Sequence, residues 1–216
     1  SSGLDWDENY YNPFNITARS YMTKDLTSLT KSLSFSSEAG LNYNYQSGAT
    51  QLASLMIEKL LMDSSSISFS EFSSIYFWEK IGASEEALWS LDRKNGVEKS
   101  FCCFHSNAKD FAKIGRLFLK KGKINENNIV LNEWYFDKIL KSNIVNFYSF
   151  GWWKGSSLGI PIYYMRGFLG QFIITIPEYD LIIVRLGRKN LRNKDNPDLP
   201  TAPFEIYVEE VLKNYI

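Results

Sequence analysis

Apolar positions recur at helical spacing through most of the chain and give way to apolar runs broken by short turns after residue 145. Asp25 to Leu33 carries Leu26, Leu29 and Leu33 on one helical face, which predicts a short helix after a polar opening stretch. From Ala49 to Met62 the positions Leu52, Leu55, Met56, Lys59 and Leu60 repeat at helical spacing with polar residues opposite, the mark of an amphipathic helix. Ser68 and Glu71 form a capping box ahead of Phe72, Ile75, Tyr76 and Trp78, and Gly82 ends that segment. Asn107 and Asp110 predict another N-cap, with a helix over Phe111 to Leu119 stopped by Lys120-Lys121-Gly122. Asn132 to Leu140 predicts one more helix.

Beyond residue 145, Tyr148 to Lys154, Ile160 to Arg166, Gln171 to Ile176 and Leu181 to Leu186 are β-branched and aromatic runs. The intervening stretches Gly155 to Gly159, Gly167 to Gly170 and Pro177 to Asp180 are short, so neighbouring strands should pair antiparallel. A charged loop over Arg188 to Asn196 follows, and Pro203 sits just inside a closing helix that reaches Tyr215. Helices, then an antiparallel sheet, then a last helix read as an α+β fold, divided by pattern into a mostly helical part (1–145) and a strand part (146–216).

Composition narrows the function classes. The 216 residues hold 24 Lys+Arg and 24 Asp+Glu, a balance that offers no electrostatic case for nucleic acid or an anionic membrane. No apolar run approaches the roughly 20 residues of a membrane-spanning helix. Cys102 and Cys103 are adjacent, and neighbouring cysteines rarely bond to one another, so two small buried residues on an inner strand or turn are expected. With His105, the single histidine, they make a trio whose side chains alternate along an extended segment, a poor zinc site. No metal or other cofactor is expected, and one histidine without an evident partner argues against a Ser-His-Asp triad. The stretch from Leu41 to Gln51 is the best chemical candidate, because Tyr45-Gln46-Ser47 stands where a loop enters a helix.

Several blocks in order carry a resemblance: Ser1 to Trp6, Glu38-Ala39-Gly40 with Tyr45-Gln46-Ser47-Gly48 and Thr50-Gln51-Leu52, Phe77 to Ala83, Ala87 to Asp92, Phe101 to Arg116, Arg166 to Ile173 and Ile176 to Gly187. Together they resemble the serine hydrolases of the β-lactamase and penicillin-binding-protein superfamily, above all the class C-like branch of esterases, D-amino-acid peptidases and 6-aminohexanoate-dimer hydrolases. The resemblance implies a β-lactamase/transpeptidase-like fold, an antiparallel sheet flanked by helices plus a helical subdomain. It implies hydrolysis of a small-molecule amide or ester through an acyl-enzyme, and weakly favours a bacterial periplasm or cell envelope. It also implies that this chain is a C-terminal portion, with the family's Ser-x-x-Lys nucleophile motif ahead of Ser1.

Residue by residue, Tyr45 matches the proton-shuttling tyrosine of the second motif, and Ser47 its third position. A phenol with a reference pKa of about 10 does this work when a nearby cation favours it. Phe168-Leu169-Gly170 stands where the third motif, Lys-Thr-Gly or His-x-Gly, is expected. Gly170 keeps the close backbone approach and the Gln171 N–H would be an oxyanion donor, whereas Phe168 departs from the usual Lys or His. In related enzymes an aromatic from the helical subdomain walls the acyl pocket, and Trp89 is either that wall or a core or surface aromatic; Arg166 and Arg185 are strand charges that could face a cleft, with solvent-facing as the default. Ser28-Leu29-Thr30-Lys31 and Ser106-Asn107-Ala108-Lys109 match Ser-x-x-Lys only formally, since Ser28 is too near Tyr45 and Ser106 lies downstream of it. The rival expectation is a catalytically inactive binding or structural module, with Phe168 as its sign.

Overall fold

Short polar side chains open most of the helices. Asn15 accepts from the Thr17 amide ahead of α1 (Ile16–Met22), and Asp25 accepts from the Ser28 amide ahead of α2 (Leu26–Lys31). The 19-residue α3 (Ser47–Ser65) has no cap bond from its own N-cap residue, Gln46. The Ser68–Glu71 capping box opens α4 (Phe69–Ser73), which runs into a wide π turn over Ser74–Trp78. Asn107 caps α5 (Ala108–Leu119), Asn132 caps α6 (Glu133–Leu140), and α7 spans Pro203–Tyr215. α1 is a helix the apolar pattern did not mark, whereas α2, α4, α5, α6 and α7 stand where it placed them.

This computed structural model describes residues 1–126, 128–141, 144–187 and 203–215. The expected charged loop from Arg188 to Asn196 lies outside them. Contacts gather the chain into two units, one of Ser1–Lys80 with Glu85–Ser106 and the other of Ile81–Ser84 with Asn107–Ile216. α5 and α6 therefore fall in the unit that contains the main sheet, a different partition from the division by pattern at 145/146.

The first unit holds α1 to α4 and a two-stranded ladder of β1 (Leu88–Trp89) with β2 (Phe104–His105). Its longest helix is turned opposite to its amphipathic pattern. α3 buries Ser47, Gly48, Gln51 and Ser54, while Met56 and Leu60 are 62% and 67% exposed. The cause is a polar lattice on its inner side. Gln51 Nε2 donates to the Glu98 carbonyl (2.9 Å), Gln51 Oε1 accepts from the Ser100 amide (3.0 Å), and the Ser54 and Ser100 hydroxyls meet at 2.6 Å. Buried polar groups must be paired, and here pairing outweighs burial of the leucine side. Glu98, itself buried, accepts from the amide and hydroxyl of Ser70 at the start of α4.

The second unit is built on a five-stranded antiparallel meander, β5 (Tyr148–Ser149), β6 (Trp152–Ser157), β7 (Ile160–Gly167), β8 (Gln171–Ile176) and β9 (Leu181–Arg185), in that spatial order. The run from Tyr148 to Lys154, expected as one strand, is two strands joined by a tight turn. Phe150 (φ 46°) and Gly151 (φ 90°) reverse the chain, and Tyr148 pairs with Trp153. β6 likewise runs on to Ser157, and only Leu158-Gly159 turns. A separate hairpin joins β3 (Lys123–Asn125) to β4 (Asn128–Ile129).

Alternation along the strands supplies each face with its own core. Ile162, Tyr164, Phe172, Ile174 and Ile176 pack with Val208 and Leu212 of α7. Phe118, Phe136, Ile139 and Trp152 form a second cluster with Tyr163 and Met165. α5 comes so close to the sheet that a Cβ on Gly115 would sit 2.8 Å from Ile182 Cγ2. The antiparallel sheet flanked by helices, with a helical part beside it in sequence, is the expected α+β architecture.

Candidate functional site

The residues singled out in sequence fall in both units: Tyr45, Ser47 and Trp89 in the first, Phe168, Gly170 and Gln171 in the second. In the first unit, α3 is capped from far away in sequence. The Glu8 carboxylate accepts from the Ser47 amide (2.9 Å) and the Ser47 hydroxyl (2.5 Å), satisfying an end amide that Gln46 leaves open. Glu8 also accepts from the Trp6 indole N–H (2.6 Å) and the Tyr10 hydroxyl (2.6 Å). Gln46 ties the same opening stretch, accepting from the Ser2 hydroxyl (2.7 Å) and donating to the Leu4 carbonyl (2.7 Å). Gly48 is needed beneath Trp6, because a Cβ there would lie 2.3 Å from the indole ring.

Within this frame Tyr45 is the last exposed residue before the buried start of α3. Gln46, Ser47 and Gly48 are buried, whereas Tyr45 is 42% exposed. Ser47 is committed to Glu8. Three phenols of this unit are held more firmly in their protonated form, and two of them, Tyr21 and Tyr43, feel Tyr45. Burial and the Glu8 carboxylate push Tyr10 and Tyr21 up, and burial, with Tyr45 adding to it, pushes Tyr43 up to about 12. Glu8 escaped the sequence reading. It lies 39 residues from Ser47, and one acidic residue within an Asp-x-Asp-Glu run gives no sign of which helix it will cap.

Trp89 is half-buried between Phe69 and Phe104, with ring centroids 5.4 and 5.1 Å away. Its indole N–H is shared by the carbonyls of Lys99 (3.1 Å) and Cys102 (2.9 Å). The cysteines correct the expectation of two separate buried residues, for Cys102 and Cys103 are joined in a disulfide and both are half-buried on a turn. Cys103 has a φ of 65°, a left-handed backbone that lets adjacent residues close the ring. His105 is exposed. Among the described residues no group of three or more His, Cys, Asp or Glu could hold a metal ion, and no helix is long and apolar enough to cross a membrane.

In the second unit, Phe168-Leu169-Gly170 is the turn between β7 and β8. Leu169 (φ 60°) and Gly170 (φ 83°) both take left-handed backbone, and Phe168 is 63% exposed. Arg185 of β9 holds this turn. Its guanidinium donates to the carbonyls of Gly170 and Leu169, and its Nε donates to the Tyr207 hydroxyl of α7 (3.1 Å). The same guanidinium carbon lies 5.6 Å from the Tyr207 ring centre. Gln171 brackets Gly187 from the other side. Its side-chain oxygen accepts from the Gly187 amide (2.9 Å), and its side-chain nitrogen donates to the Gly187 carbonyl and to the Phe168 carbonyl (3.3 Å). Across a trans peptide the N–H lies anti to the C=O, so fixing the Gly170 carbonyl on Arg185 also fixes the direction of the Gln171 N–H. Arg185 is the site residue that sequence left ambiguous, since a charge on a strand is solvent-facing by default.

The two formal Ser-x-x-Lys strings sit differently on their helices. Ser28 is exposed on α2 with its amide on Asp25 (3.1 Å). Ser106 stands outside α5, ahead of its N-cap residue Asn107, so it does not share a helical face with Lys109.

No family model matches the chain, and no curated protein matches it. Solved structures do. The chain aligns over 98% of its length with "Putative 6-aminohexanoate-dimer hydrolase from Bacillus anthracis", at a TM-score of 0.77 and 17% identity. The fold is β-lactamase-like. A "putative beta-lactamase from Bacteroides dorei DSM 17855" aligns over 87% of the chain at a TM-score of 0.59 and 13% identity. The chain spans 57% and 62% of the length of these two proteins, so each carries further fold that these residues do not match.

Proposed function

We propose that the chain contributes the tyrosine and third-motif parts of a serine hydrolase acting on a small-molecule amide or ester through an acyl-enzyme. The observation that carries this reading is Tyr45, presented to solvent directly ahead of α3 while Gln46 and Ser47 are buried and tied, on a β-lactamase-like fold. In this reading Tyr45 passes the proton between nucleophile and leaving group, and the Gln171 N–H is one oxyanion donor, aimed by Arg185 through the Gly170 carbonyl. Ser47 acts through the Glu8 contact that fixes the start of α3. The nucleophile is assigned to the portion of the fold that the neighbours have and these 216 residues do not match.

The test is esterase kinetics with a p-nitrophenyl ester. The 216-residue chain should give no burst, and in the protein carrying the rest of the fold Tyr45→Phe should lower kcat by about 10²–10⁴-fold with KM little changed. A burst from the chain alone that disappears in Ser28→Ala or Ser106→Ala overturns the assignment of the nucleophile. Phe168 supports a second reading, an inactive penicillin-binding-like module, because its exposed apolar ring replaces the cation or imidazole that would face a substrate carboxylate. Saturable binding of a β-lactam without acylation or turnover favours that reading.

A further inference from the structure

The Cys102–Cys103 disulfide stands at a junction of the first unit. On one side, the Cys102 carbonyl accepts the Trp89 indole N–H (2.9 Å) and the Cys103 carbonyl accepts the Ser90 amide (3.0 Å), so the two cysteines hold the β1 end of the small ladder. On the other, the three residues before them brace the helices. Lys99 Nζ donates to the Tyr21 carbonyl (2.6 Å), Ser100 meets Gln51 and Ser54 of α3, and the Phe101 ring packs edge-on against Tyr21 at 5.2 Å. The Cys102 amide closes this stretch onto the Lys99 carbonyl (3.0 Å).

We propose that Cys102 and Cys103 form a reversible thiol–disulfide exchange site, open to dithiol reductants, whose redox state sets the position of Trp89 and of the 99–101 stretch that braces α3. Both cysteines are partly open to solvent at a bend, and disulfides that solvent reaches are the ones that exchange. A reductant thiolate attacks one sulfur, the Cys–Cys bond breaks, and the other sulfur leaves as a thiolate that takes a proton. The reductant's second thiol then displaces the mixed disulfide. The reductant ends as a disulfide, and two electrons and two protons end on Cys102 and Cys103. Opening the ring frees Cys103 from the left-handed backbone that non-glycine residues avoid, and its relaxation moves the two carbonyls that hold Trp89 and Ser90.

The experiment uses the whole chain, poised with oxidised glutathione or with dithiothreitol, alkylated with iodoacetamide and weighed intact. No adduct is expected on the oxidised form and two on the reduced form. Reduction should also change tryptophan emission, and the change should be missing in Trp89→Phe and in the Cys102→Ser, Cys103→Ser double variant. As a readout that needs no variant, hydrogen exchange at the Ser90 amide of the unmodified chain should accelerate on reduction. Two adducts in the oxidising buffer, a disulfide that dithiothreitol opens only after unfolding, or release of two thiols with Trp89 emission and Ser90 exchange unchanged would each overturn the proposal. None of these readouts depends on catalysis, so the proposal stands or falls apart from the hydrolase reading.

Discussion

Removing the Glu8 carboxylate should unfasten the start of α3. In Glu8→Ala the Ser47 amide loses its charged acceptor, a loss of the N-cap kind that costs about 1 kcal/mol. The Trp6 indole N–H, on a side chain buried under Gly48, loses its partner as well, and an unpaired buried donor costs about 1–3 kcal/mol. Tyr10 is half-exposed and recovers a water, so it adds little. The sum is about 2–4 kcal/mol, read as a lower urea midpoint at unchanged m, with Glu8→Gln falling between because it keeps one acceptor oxygen. In a double-mutant cycle with Ser47→Ala, the two losses should fall short of additive by about 0.5 kcal/mol or more. A Glu8→Ala loss under about 0.5 kcal/mol would refute the capping role, and strict additivity with Ser47→Ala would refute the contribution of the hydroxyl contact.

Gly115→Val should cost about 1–3 kcal/mol by thermal or urea unfolding, because the new side chain must displace Ile182, Ile173 and Thr175 where α5 meets the sheet. Arg185→Met should release the 168–171 turn. Losing a charge-assisted bond to the Gly170 carbonyl predicts roughly ten- to hundredfold faster amide exchange there, and unchanged exchange would sink the clamp. Alkaline titration at 295 nm should show a tyrosine ionising near pH 12 that vanishes in Tyr43→Phe. The sign follows from linkage: the folded phenol ionises above the unfolded value of about 10, so its share of stability is complete below about pH 10 and is lost as pH rises toward 12.

The legible parts of this chain were those fixed by local chemistry. Asn107 and Ser68 each cap a helix within three residues of themselves, and the spacing alone announces them, while Asn132 and Asp25 cap helices that the apolar pattern had placed. α1 was missed because Ile16 to Met22 has no sustained apolar stripe, although Asn15 caps it in the same way. The long run over Tyr148 to Lys154 read as one strand because Phe150 gives no hint that it will take a left-handed backbone beside Gly151. α3 was placed correctly but faced the wrong way, since Gln51 and Ser54 take their partners from residues 98–100, more than 40 positions away. The site followed the same rule. Tyr45, Gly170 and Gln171 could be picked out by motif, whereas the Glu8 bond to Ser47, the Arg185 bond to the Gly170 carbonyl and the Cys102–Cys103 bond are long-range or conformational facts.

α3 therefore inverts the usual rule for which positions tolerate change. On an ordinary surface helix the apolar stripe is intolerant and the polar side is permissive. Here Met56 and Leu60 look outward and can become lysine or glutamate with little effect on folding, which offers a direct route to a more soluble chain. Gln51 and Ser54, which a composition-minded engineer would replace first, are the positions that hold the helix in place.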